Sequence, residues 1–114
     1  MIDFHKQLVE ALQTILPTHY EMTVSSKTAT PCITYIERDN SAQQVGDTIG
    51  YSRLSYTVKV WGNDIGQLQT YAIQIDNVLR PLGFKRISSN EMYDPNSTMI
   101  QKIMAYEAYA QEVF

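Results

Sequence analysis

The chain has 114 residues, 44% of them hydrophobic and 18% charged, with a formal net charge of −3. This length suits one domain, residues 1–114, and the composition lies away from the weakly hydrophobic, highly charged regime of disordered chains. The charges form no acidic or basic block, which leaves no footprint for wrapping nucleic acid, and no apolar stretch approaches the ~20 residues that span a bilayer.

The N-terminus lacks the basic-then-apolar pattern of a signal peptide, and the single Cys32 has no intrachain partner, so a cytosolic, reducing setting is expected. Eight Tyr and five Met exceed what so small a core needs. Both residue types are enriched at protein interfaces, which points to self-association.

Asp3 is placed to cap a first helix over 3–16, in which Leu8, Leu12, Ile15 and Leu16 recur at helical spacing before Pro17. Tyr20, Met22 and Val24 alternate with Glu21 and Thr23 as a half-buried strand, and 25–30 is a polar turn. A second strand follows Pro31 through Cys32-Ile33-Thr34-Tyr35-Ile36. From Glu37 to Gly50 the only large apolar residues are Val45 and Ile49, among turn formers such as Asp39, Asn40, Gly46 and Asp47, so a long exposed loop or hairpin arm is expected. Tyr51 to Trp61 carries the most regular alternation, with Leu54, Tyr56, Val58 and Val60 facing one way and Arg53, Ser55, Thr57 and Lys59 the other.

Gly62 ends that strand and Asn63 or Asp64 caps a second helix, whose stripe is Ile65, Leu68, Ala72, Ile75, Val78, Leu79 and Leu82. Pro81 and Gly83 stop it near Arg80. Strands over 84–89 and 99–109, joined by a turn at Asp94-Pro95-Asn96-Ser97, close the chain. The expected fold is α+β in the order α-β-β-β-α-β-β, a largely antiparallel sheet of about five strands with two helices packed on one face. The uncovered face should then carry Thr57, Lys59 and Trp61, with Tyr106 or Tyr109, as an exposed apolar and aromatic patch.

No catalytic, cofactor or metal site is expected. His5, His19, Cys32 and Glu21 lack the short fixed spacing of metal ligands, and no G-x-S-x-G elbow presents a nucleophile. Asp39, Asp47, Asp64 and Asp76 are accounted for by turns, caps and a solvated helix face. Gly46, Gly50, Gly62 and Gly66 match no phosphate-cradling motif. Lys85 and Arg86 beside Phe84, with Arg80 and Lys102, form a small basic cluster suited to single-stranded nucleic acid, though solvated strand edges explain it more simply. Trp61 suits either a core anchor or an interface hot spot, with core favoured.

Three segments carry a resemblance: Tyr56-Thr57-Val58-Lys59-Val60-Trp61-Gly62-Asn63-Asp64, the passage from Ile75-Asp76-Asn77-Val78-Leu79 to Leu82-Gly83-Phe84-Lys85-Arg86, and Ile103-Met104-Ala105-Tyr106-Glu107. In order and spacing they resemble the tail terminator (tail completion) proteins of long-tailed phages and prophages of Gram-positive bacteria. The first-helix pattern and Pro31-Cys32-Ile33-Thr34-Tyr35 extend the likeness over most of the chain. The resemblance implies a non-enzymatic subunit of a homo-hexameric ring that caps the tail tube, stops its polymerisation and offers a joining surface for the head. Its partners would be further copies, the tail tube protein and a head-completion or connector protein, in the virion tail or neck and in the host cytoplasm during assembly. DNA would pass through the ring without being read.

The segment 38–50 departs from the family pattern. Subunit contacts are expected at or near Arg38, Asp39, Arg53, Lys59 and Trp61. Another neck or head-completion subunit, and a small-ligand-binding regulatory domain, remain open as alternatives.

Overall fold

A computed structural model describes residues 4–21, 29–44, 49–95 and 98–113. Its centre is the strand with the cleanest alternation. β3, Ile49–Gly62, buries Leu54, Tyr56, Val58 and Val60 on one face, as the period of two requires. It is flanked by β2, Cys32–Gln44, and β5, Met99–Val113, both antiparallel to it. β1, Thr18–Tyr20, lies outside β2, and β4, Lys85–Asp94, lies outside β5, giving the order β1-β2-β3-β5-β4.

Helix α1, His5–Gln13, inserts Leu8 and Leu12, and helix α2, Ile65–Leu79, inserts Leu68, Ala72, Ile75 and Leu79. These residues join Ile33, Tyr35, Met104, Tyr106, Ala108 and Phe84 in one core on the same face of the sheet. Asp64 caps α2, its Oδ1 accepting from the N–H groups of Gly66 (2.9 Å) and Gln67 (3.3 Å). At the strand-to-helix corner Gly62 lies close against α2, where a Cβ would stand 3.0 Å from Leu68 Cδ2 and displace that side chain by a few tenths of an ångström.

The molecule is α+β, with a mixed five-stranded sheet and two helices. The expectation of a largely antiparallel sheet is corrected by β1, which runs parallel to β2 through Thr18↔Ile33 and Tyr20↔Tyr35. A strand of only three residues carries too little pattern to reveal its direction in the sequence. The chain order also contains a 3₁₀ turn, Arg80–Leu82, between α2 and β4 that the expected order lacks. Pro81 sits at the start of that turn, where its missing N–H costs nothing, and the C-cap Gly83 takes φ 93°.

Several boundaries shift as well. α1 starts at His5 rather than residue 3, and Asp3, its expected cap, lies outside the described residues, as do Met22, Val24 and Asp47. The expected loop over 37–50 is strand on both sides, paired to Gln44↔Gly50, so the hairpin-arm alternative is the one realised. The core ends at Leu54 and Ala108, and beyond it β2, β3 and β5 continue as a three-stranded ribbon. β4 runs on to Asp94, and the overall extents are 51 × 24 × 22 Å.

Candidate interaction surface

The sheet face opposite the helices holds all five residues expected at contacts. Directly opposed residues of antiparallel strands share a face. Arg53 therefore stands between Ser41 and Tyr109, Ser55 between Asp39 and Glu107, Lys59 between Thr34 and Ile103, and Trp61 between Cys32 and Gln101. Arg38 sits at the irregularity between Glu37 and Asp39, and its Nε donates to Thr57 Oγ1 (3.2 Å) on this face.

Two ion-pair clusters cross the strands here. Arg53 bridges β2 and β5, with Nη1 3.2 Å from Asp39 Oδ2 and Nη2 3.0 Å from Glu107 Oε2. Ser41 Oγ also donates to Asp39 Oδ2 (3.1 Å). The hydrogen bond from Arg53 holds the Glu107 carboxyl below its ordinary range, and one from the Tyr109 hydroxyl adds to the effect. The same bond to Glu107 pushes the Tyr109 phenol up. In the second cluster Glu21, just past β1, contacts Lys59 and lies 4.0 Å from Arg38 Nη2.

Trp61 belongs to this face and not to the helix-side core, correcting the preference for a core anchor. Its Nε1 donates to Thr34 Oγ1 (2.9 Å), so the half-buried indole satisfies a hydroxyl that is fully buried. Tyr106 is also corrected: it points into the core and is buried, whereas Tyr109 and Tyr51 are exposed on the open face. The expected apolar and aromatic patch is thus an aromatic and charged one, a composition suited to a selective contact that must also tolerate water.

The sequence places Lys85 and Arg86 on a solvated strand edge but marks no apolar exposure along β4. β4 is an edge strand on which Ile87, Met92 and Tyr93 are all exposed. The available signal was those three apolar residues set among Ser, Asn and Glu, where no alternation buries them. On the opposite side β1 covers β2 only at Ile33, Thr34 and Tyr35, so among the described residues the outer edge of β2 has no strand partner from Ile36 onward.

The basic cluster divides. Arg80, Phe84, Lys85 and Arg86 line a cavity of about 360 Å³ with Asp76 and Tyr106, whereas Lys102 is paired with Glu91 at 3.1 Å. Asp76 is not a merely solvated helix residue, because it accepts from Tyr106 Oη (2.5 Å) and pairs with Arg86 Nε (3.2 Å). Asp39 serves an ion pair within a strand rather than a turn.

Among the described residues no three His, Cys, Asp or Glu side chains are grouped to hold a metal ion. His5 packs edge-on against Tyr35 at 5.2 Å, and burial pushes the Cys32 thiol up, away from the thiolate a ligand needs. Among the described residues no helix is long and apolar enough to cross a membrane. Compared with known protein families and with curated proteins, the sequence matches none.

Proposed function

We propose that this protein is a structural subunit of a phage tail, a terminator that assembles head-to-tail into a hexameric ring on the end of the tail tube. One observation carries the reading beyond the sequence resemblance: among the described residues the sheet offers two edges without a strand partner on opposite sides, β4 and the outer edge of the β2 arm. Pairing one edge with the different edge of the next copy is a heterologous contact, and such contacts close into a ring when the rotation per copy divides the circle. Strand addition supplies directional main-chain hydrogen bonds, and the side chains flanking each edge set the register.

On this reading the open face, with Arg38, Asp39, Arg53, Lys59 and Trp61, lies at or near the subunit contacts. The ring stops tube growth by covering the last tube subunits, and its other surface receives the head-completion or connector protein. The net charge of −3 per copy suits a lumen that lets DNA slide past without adhering. Neither catalysis nor a cofactor is required.

Negative-stain electron microscopy of the concentrated protein tests the reading. Closed rings with a central opening are expected, and Arg53→Glu should abolish them while leaving the far-ultraviolet circular dichroism of the monomer unchanged. Open filaments or dispersed monomers at every concentration would contradict it.

A further inference from the structure

The cavity at the corner between α2 and β4 has a charge balance opposite to that of the whole chain. Its lining holds three cations, Arg80, Lys85 and Arg86, against one carboxylate, Asp76, in a protein of net charge −3. The corner is built by the 3₁₀ turn and by Gly83, whose φ of 93° reverses the chain so that Lys85 and Arg86 return beside the last turn of α2.

The carboxylate offsets one of those charges, that of Arg86, and both of its oxygens are occupied. Oδ1 accepts the proton of Tyr106 Oη at 2.5 Å, and Oδ2 takes Arg86 Nε at 3.2 Å. That pair uses one of the five N–H groups of Arg86 and fixes the plane of its guanidinium. Among the described residues Arg80 has no ion pair or side-chain hydrogen bond, whereas Lys85 faces the other side of the sheet, opposite Glu107, whose carboxylate it helps to hold charged.

The C-terminus of a helix repels anions through its bare carbonyls. Here the Leu79 carbonyl accepts from Phe84 N–H (3.2 Å) and the Arg80 carbonyl from Gly83 N–H (2.9 Å), which takes up two of the acceptors at the helix end. Phe84 and Tyr106 are buried and present no open aromatic face, which removes the base stacking that single-stranded nucleic acid requires. The cavity is fitted to a charged group rather than to a ring.

We infer that this cavity is an oxyanion-binding site that accepts a carboxylate or phosphate group between Arg80 and Arg86. Two sources share that chemistry: a free anion, or an acidic side chain of a second copy of this chain. The second source rests on the ring reading and the first does not.

Inorganic phosphate is the probe, titrated into the protein at constant ionic strength while backbone amide resonances are followed by NMR. Saturable shifts confined to Arg80, Lys85, Arg86 and Tyr106 are expected. Arg80→Ala should weaken the affinity about tenfold, the loss of one charge-assisted hydrogen bond, while Lys6→Ala, a charge lost from the exposed face of α1, leaves it unchanged. Non-saturating shifts, or equal weakening by both variants, would overturn the site. Solution mass read in the same titration separates the sources: phosphate that dissociates an oligomer marks the site as the seat of a neighbour's carboxylate, whereas phosphate that saturates at unchanged mass marks a free-anion site. In the latter case the inference stands even if no ring forms.

Discussion

Tyr106 carries the largest disagreement between sequence and structure at the scale of single residues. Its position in the last strand suits either face, and the sequence offers it or Tyr109 for the open one. The register Tyr56↔Tyr106 instead puts it in the core, with its hydroxyl on Asp76 thirty positions away. Such a pairing is invisible to local pattern, because Asp76 lies on a helix flank where a carboxylate needs no explanation. Burial pushes the Tyr106 phenol well above its ordinary range, and the bond to Asp76 adds to that. The folded state then keeps a proton that the unfolded chain loses above pH of about 10, so stability is full below that pH and falls as pH rises beyond it. Tyr106→Phe should lower stability near neutrality by about 1–2 kcal/mol and flatten the alkaline decline, both measured by denaturant unfolding across pH. An unchanged alkaline slope in the variant would assign the decline to other tyrosines.

At the scale of elements, helices and central strands were legible and the periphery was not. Leu68, Ala72, Ile75 and Leu79 on α2, and Leu54 to Val60 on β3, bury a full face, and burial is what imposes periodicity. The β2 arm is polar, so it reads as loop or hairpin arm alike, and the outer half of β4 is exposed and gives no strand pattern past Ser89, although the backbone pairs in register to Gln44 and Asp94. The turn between α2 and β4 was located from Pro81 and Gly83, and the left-handed φ at Gly83 makes that reading testable. Since nothing lies within 4 Å of a Cβ built there, Gly83→Ala isolates the backbone cost, expected to be about 1–2 kcal/mol by thermal or denaturant unfolding. For β4 the expectation concerns assembly rather than folding. Replacing Ile87 and Met92, each more than half exposed, by Lys should change monomer stability by less than about 0.5 kcal/mol per site while reducing self-association in analytical ultracentrifugation.

At the scale of the whole molecule, the five residues expected at contacts lie within five consecutive rows of one sheet face, which alternation along β3 made legible for Arg53, Lys59 and Trp61. The partners of those residues were not legible, because Arg53 reaches Glu107 only through the β3–β5 register. The sequence likewise missed that, among the described residues, the sheet leaves two opposed edges open, a property of strand order rather than of any one strand. These edges and the charged face together motivate head-to-tail assembly, and the net charge of −3 adds a salt dependence: screening should favour association where copies of like charge repel. The most direct measurement is the solution mass by light scattering over a concentration series. The account predicts a limiting mass of six chains, reached from monomer as concentration rises, with no larger species. A mass that stays at one or two chains throughout, or that grows without limit, would contradict closure into a ring.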